Sequence, residues 1–320
     1  MENSKVYVIG GANIDLYVRS TKELVLRDSN PALMELGFGG VGRNIAENLI
    51  KHNEEVEFIS IFADDYFGGV LYEDCLKKGL KLNYSLKKKD FNTSMYLAIL
   101  DRENDLYLGM SDMRIIESLT IKDLEKLKDT ISDDDYLVVD TNLNEELISC
   151  ILNEFKGIKV SDAISANKVH RLKNNLNRID ILKLNLIEAE TLSQMKLESL
   201  SDLITVMKHF DDLGCKDVII TVKEGAYLLK EHKMYYYTHN AYIESLKNAT
   251  GAGDSFLGAY IHMHHCNSDI KEAISYALAT SLLTIEDSQT VGSFNQEDIF
   301  NKMKTLKITG GIINENQNER

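Results

Sequence analysis

The segment Asn248-Ala249-Thr250-Gly251-Ala252-Gly253-Asp254 sets small residues just before Phe256, Leu257, Tyr260 and Ile261, which fall at helical spacing. A helix beginning there offers backbone N–H groups with no partner inside the helix, and its dipole favours an anion such as a phosphoryl group. An acidic side chain at the lip of such a site does nothing to hold the anion. Asp254 makes sense if an attacking hydroxyl must lose its proton nearby, as in phosphoryl transfer. Asp is equally a favoured N-cap residue, and glycines mark tight turns. Spacing alone leaves a catalytic base and a helix cap on equal terms.

A second glycine cluster, Gly37-Phe38-Gly39-Gly40-Val41-Gly42, fits the G-x-G-x-x-G pattern of dinucleotide-binding turns. A helical stretch over 44–52 and an apolar run over 56–62 follow, with Asp64 and Asp65 about 20 residues on. Against that reading, the preceding stretch Ala32–Leu36 contains Glu35 and follows Pro31, which makes it a poor buried strand. It also leaves the glycines at Gly251 unexplained.

Asn185 and Glu188 lie three residues apart after the apolar run 179–184. On a strand-to-helix turn they can face the same way and present hard oxygen donors that suit Mg²⁺. The same spacing builds a helix capping box. A place at the C-terminal end of a parallel strand, where such sheets put ligands, favours the ion. Asn13 and Asp15, just after Gly10-Gly11, offer short polar groups for sugar hydroxyls, or simply a turn. His262, His264 and His265 do not share one helix face, which predicts a solvated helix end rather than a metal site.

The elements that must position these residues are legible as apolar runs alternating with helical patterns. Strands are predicted over 5–9, 56–62, 136–140, 158–160, 179–184 and 218–222, several with little polar alternation. Helices are predicted over 44–52, 145–155 and 201–213; in the last, Leu203, Val206, Met207 and Phe210 recur at three- and four-residue steps. Such alternation implies an α/β fold with a largely parallel sheet covered on both faces. Residues 14–38 and 94–110 break the rhythm with period-two alternation, and the second reads as a hairpin turning over 101–105. They are either a small projecting sheet or extra edge strands. The chain beyond Ile308, rich in Asn, Glu and Gly, is expected to fray.

Composition narrows the partners. With 36 Lys plus Arg against 50 Asp plus Glu, the formal charge of −14 disfavours nucleic acid. No apolar run approaches the length of a membrane span. Cys75, Cys150, Cys215 and Cys266 are scattered and form no C-x-x-C pair, as expected of a reducing interior. No basic stretch followed by a long apolar run opens the sequence, so a cytoplasmic protein is expected.

Taken together, Gly10 to Asp15, Gly39 to Asn44, Ala63 to Gly68, Asn185 to Glu188 and Thr250 to Asp254 resemble, in order, the motifs of the ribokinase-like (PfkB) carbohydrate and nucleoside kinases. The last motif is the most specific, and the resemblance spans residues 5 to about 290. Within the family the chain is most similar to the pseudouridine kinase branch, through Asp28 to Pro31, Gly39 to Ala46, Asn92 to Leu97, Ser111 to Met113 and Leu184 to Leu192.

The resemblance implies a three-layer α/β/α fold with a small β lid, formed by about 14–38 and 94–110, on one domain over 1–310 ahead of a polar tail at 311–320. It implies ATP and Mg²⁺, with a monovalent cation a further expectation, and a homodimer through the lid. Asp254 would take the proton of a 5′-hydroxyl, and the N–H groups of Gly251, Ala252 and Gly253 would hold the transferred phosphoryl. Asp15, Gly39, Gly40 and Asn44 would grip the sugar with Asn13 close by, while Asn30, Thr93, Ser94 and Asp112 would face the base. Asn185 and Glu188 would order Mg²⁺ and its waters, and Thr221 to Gly225 would border the nucleotide. Three positions depart from the family's commoner pattern: Asn248 stands where many relatives have Asp, Lys223 where a glycine is usual, and Ala163 where a proline is common after the acid at Asp162.

Overall fold

The computed structural model describes residues 4–103, 106–241 and 250–313. Its strands are β1 (Val6–Ile9), β2 (Asn13–Ser20), β3 (Ala32–Gly39), β4 (Val56–Ile59), β5 (Ile61–Ala63), β6 (Leu86–Lys88), β7 (Met95–Leu100) and β8 (Leu106–Asp112). There follow β9 (Tyr136–Asp140), β10 (Ile158–Asp162), β11 (Ile181–Asn185), β12 (Asp217–Val222), β13 (Gly225–Lys230), β14 (Lys233–Thr238) and β15 (Thr309–Ile312). The helices are α1 (Val41–Lys51), α2 (Tyr66–Lys77), α3 (Arg114–Glu117), α4 (Glu125–Lys128) and α5 (Glu145–Glu154). After them come α6 (Leu186–Ser193), α7 (Leu200–Asp212), α8 (Ala252–His265), α9 (Ile270–Glu286) and α10 (Gln296–Thr305).

The main sheet runs β15-β14-β13-β12-β11-β10-β9-β1-β4. Neighbours from β4 to β12 are parallel, and those from β12 to β15 antiparallel. In β1, Val6 and Val8 pack into one core with Ile45, Leu49, Phe256 and Ile274, while Tyr7 and Ile9 face another with Ile148, Leu172 and Met207. Helices α1, α2, α8, α9 and α10 therefore cover one face and α5, α6 and α7 the other. Burial on both faces is why these strands carry apolar residues without polar alternation.

Residues 14–38 and 94–110 do form a separate four-stranded sheet, β3-β2-β7-β8, in which β2 and β7 are parallel. The predicted run 56–62 breaks at Ser60: β4 stays in the main sheet, whereas β5 leaves it to pair with β6. The dinucleotide-turn reading of Gly37 to Gly42 fails, because the strand before α1 is β3, antiparallel to β2 in the small sheet. Two features are absent from the sequence reading. Residues after β12 turn back as the β13–β14 hairpin, with Glu231 and His232 at positive φ in its turn. Thr309–Ile312, expected to fray, pairs instead with Tyr235–Thr238.

Candidate active site

The parallel strands end in register, so Ile9, Asp140, Asp162, Asn185 and Val222 bring their C-terminal ends to one edge of the sheet. This is where open α/β sheets place ligands. Gly10 and Gly11 leave β1 there and interlock with the start of α1. A side chain on Gly10 would collide with the Asp140 carboxylate, and one on Gly40, at φ +101°, with the Gly11 carbonyl. Asp140 fixes this corner: fully buried, it accepts the N–H groups of Gly11 and Gly42, both at 2.8 Å, and of Asn142 at 2.9 Å. Burial raises its carboxyl pKa and those three N–H groups draw it back.

Asp15, on β2, accepts from Asn13 Nδ2 at 2.5 Å and lies against Gly39, which has no room for a Cβ beside it. Burial raises its pKa, opposed by the Asn13 and Tyr17 hydrogen bonds and by the charge of Arg43. Tyr17, whose hydroxyl faces both Asp15 and Thr290, is pushed up to about 12, by burial first and the Asp15 charge next. Thr290 in turn packs against Gly251, the N-cap of α8, where φ is +85° and a Cβ would strike the Thr290 carbonyl.

Asp254 is the third residue of α8, not its cap. The N–H groups of Ala252, Gly253 and Asp254 precede the first intrahelical bond and have no partner among the described residues, leaving three donors for an anion. The Asp254 carboxylate is buried and accepts Asn44 Nδ2 at 2.8 Å, joining α8 to α1 across 210 residues of sequence. Burial, then the charge of Asp162, lifts its pKa to about 7, against the Asn44 hydrogen bond and Lys183. A carboxyl poised there suits a general base.

Beneath the helix start lies Lys183, on β11. Its ammonium pairs with Asp162 at 3.0 Å, and both side chains are almost completely buried. Burial pulls the lysine pKa down, but Asp162, Glu188 and Asp254 outweigh it and leave it above the ordinary value. Asn185 and Glu188 form the capping box of α6: Asn185 Oδ1 accepts Glu188 N–H at 2.9 Å, and Glu188 Oε2 accepts Asn185 N–H at 2.8 Å. Among the described residues the hydrogen bonds of the Glu188 carboxylate stay within this capping box. Burial, followed by the Lys183 charge in the opposite sense, leaves the Glu188 carboxyl raised. Among the described residues no trio of His, Cys, Asp or Glu is placed to hold a metal directly. Thr221 is the neighbour of Asn185 across β11–β12, and Gly225 opens β13 beyond the turn that carries Lys223.

The structure thus brings Asn13, Asp15, Gly39, Gly40, Asn44 and Asp254 into one cluster. Ser94 joins its edge, its carbonyl accepting Ile14 N–H, while its buried hydroxyl has no partner among the described residues. Thr93 gives its N–H and hydroxyl to Asp65, the N-cap of α2. Asn30 and Asp112 are spent locally: the Asn30 amide braces the 25–30 loop through Val25 and Asp28, and Asp112 binds Arg114 bidentately. Among the described residues no hydrogen bond joins either to the cluster. Asn248 lies outside the described residues. Asp140, Lys183 and Tyr17 were not singled out by the sequence reading; a charged residue ending an apolar strand, as in Leu137-Val138-Val139-Asp140, is the available signal, since a buried charge must be paired. The three histidines are half-buried and partnered rather than fully solvated: His262 and His265 bind Glu54 at 2.6 and 2.8 Å, His264 meets the Tyr136 hydroxyl, and His262 stacks on His52.

Comparison with known proteins gives the family and the fold. Pseudouridine kinase of Escherichia coli is 28% identical over 290 residues, covering 90% of this chain and 93% of the relative. A carbohydrate kinase from Agrobacterium tumefaciens superposes with a TM-score of 0.82 at 24% identity, over 96% of this chain and all of that one. Arabidopsis thaliana ribokinase, solved with ribose and ATP, gives 0.81 at 19% identity, over 94% and 99%. These last two share the fold, which is ribokinase-like. The family model for pfkB family carbohydrate kinases matches residues 3–297, and this chain belongs to that family.

Proposed function

We propose that the protein transfers the γ-phosphoryl of ATP to the 5′-hydroxyl of pseudouridine, releasing ADP and pseudouridine 5′-phosphate. The observation that carries the chemistry is Asp254: a buried carboxylate, hydrogen-bonded to Asn44, at a helix start whose three N–H groups have no partner among the described residues. In this reading Asp254 takes the hydroxyl proton while the oxygen attacks phosphorus and the bond to the β–γ bridging oxygen breaks. The N–H groups of Ala252, Gly253 and Asp254 take up the charge developing on the transferred group, and Lys183 supplies a cation below them. Asn13, Asp15 and the Gly39–Gly40 backbone hold the ribosyl hydroxyls so that the attacking oxygen lies within reach of Asp254. Asn185 and Glu188 would help to hold Mg²⁺ through its waters, and the ion would supply further charge neutralisation.

The acceptor rests on similarity to the Escherichia coli enzyme and on the resemblance of residues 28–31, 92–97 and 184–192 to the pseudouridine kinase branch. Incubating the protein with Mg-ATP and pseudouridine, uridine, ribose or adenosine, and measuring ADP, tests it. Release chiefly with pseudouridine supports the assignment; release chiefly with another acceptor keeps the kinase and discards the substrate. We further propose that the small sheet is a lid that joins two copies. It exposes Leu33, Met34, Leu36, Leu106, Leu108 and Met110, more apolar surface than a solvated sheet needs. Light scattering showing a monomer at micromolar protein would remove that proposal.

A further inference from the structure

Arg43, between the glycine turn and Asn44, is 3% exposed, although a buried guanidinium adds little net stability over an apolar residue of its size. Its Nη2 contacts Glu47 at 3.0 Å and Asp74 at 2.6 Å. Its Nη1 donates to the Phe38 carbonyl at 3.2 Å and to Asn44 Oδ1 at 3.4 Å, and the guanidinium lies 5.6 Å from the Phe38 ring centroid. One planar fork therefore touches the last residues of lid strand β3, helix α1 and helix α2. Helix α2 holds the other lid root too, because Asp65 at its N-cap binds Thr93 just before β7.

The amide of Asn44 has one accepting and one donating end, and a guanidinium can face only the accepting one. With its oxygen toward Arg43, the Asn44 NH₂ is turned to Asp254. Reversed, the amide would set an oxygen against the carboxylate. We propose that Arg43 is a positioning residue that fixes the Asn44 amide toward Asp254 and makes that orientation depend on how the lid root at Phe38 is seated. This rests on the reading of Asp254 as the base. The other charged groups facing Asp254 are Asp162, Lys183 and Asp140, and none contacts Arg43, so a change at Arg43 reaches the base through Asn44.

The test is the titration of the Asp254 carboxyl, followed by carbon-13 NMR of labelled aspartate with Asp254→Asn to assign the signal. Arg43→Met is paired with Asp74→Asn, because Asp74 would otherwise lose its partner, while Glu47 keeps Lys78 at 2.8 Å; Arg43→Lys keeps the charge and loses the fork. In both, the midpoint should rise by about one pH unit, the worth of a hydrogen bond to a charged group, and the acid limb of kcat/KM should move with it. Asp74→Asn alone, with Arg43 in place, should leave the midpoint where it is. A midpoint unchanged in both Arg43 variants overturns the proposal. Full turnover in Asp254→Asn would instead overturn the base itself, an outcome read independently of the titration.

Discussion

A methyl group on Gly253 would stand 2.5 Å from the ammonium nitrogen of Lys183. The glycine is therefore required by what lies beneath it. Gly253→Ala is expected to lower stability by about 1–3 kcal/mol, because crowding the buried Lys183–Asp162 pair outweighs the roughly 1 kcal/mol by which alanine is the better helix former. Turnover should fall by about tenfold or more as the lysine is pushed aside. Melting temperature and kcat measured on one preparation separate the two effects; undiminished turnover would mean that Lys183 has no part in catalysis.

The Lys183–Asp162 pair gives a second prediction. Lys183→Met leaves Asp162 buried without a counter-charge and should cost about 3–5 kcal/mol. Adding Asp162→Asn should recover most of that stability without recovering activity. Denaturant melts of the single and double variants, beside their rates, check it. Activity returning with stability would make the pair purely structural.

Asp254→Asn should lower kcat by about 10²–10⁴, the usual worth of a general base, with the fold intact. Because the carboxyl is held at about 7 and must be ionised to accept a proton, wild-type kcat/KM should fall tenfold per pH unit below that value and level off above it. A rate flat from pH 5 to 8 would contradict the assignment.

His52 provides a pH test of stability. Burial, and then the neighbouring His262 and Lys51, depress its pKa to about 3, so it is neutral when folded, whereas the unfolded side chain titrates near 6.5. Between those values the unfolded chain binds the extra proton, so stability falls as pH drops from 6.5 towards 3, by about 1.4 kcal/mol per unit at most. The stability gap between wild type and His52→Gln should therefore narrow from pH 7.5 to pH 5. A gap constant with pH would show that His52 takes up its proton equally in both states.

How far the sequence carries the fold depends on the range of the interaction. The parallel core was legible because burial on both faces leaves local apolar runs such as Tyr136-Leu137-Val138-Val139, and the small sheet because the run Met95–Leu100 and the turn-forming residues after it are local too. Strand β15 was not, since Thr309-Gly310-Gly311-Ile312 has no strand character of its own and is extended only by pairing with β14. The break at Ser60 was hidden for the same reason: β5 turns away to meet β6, 25 residues later in the chain.

The site divides along a similar line. Glycines at positive φ and a carboxylate at a helix start leave a pattern in the sequence, so Gly40, Gly251 and Asp254 could be named from it. Lys183 could not be distinguished from any surface lysine, because its burial follows from the register that sets it beside Asp162. The histidines at the end of α8 misled for the converse reason: His262 and His265 are polar in sequence but meet Glu54 from the loop after α1, which no helical wheel shows.

Strand β15 has a further consequence, for solubility. It covers the outer edge of β14, whose Tyr235-Tyr236-Tyr237 would otherwise present open hydrogen-bonding groups flanked by aromatic rings, a template for pairing with another chain. The replacement edge is four residues long with two central glycines, a poor surface on which to add a strand. A chain ended at Ile308 should keep its active site yet associate and precipitate as concentration rises, visible as growing light scatter at constant specific activity. Strand β15 is thereby expected to guard the β14 edge against self-association.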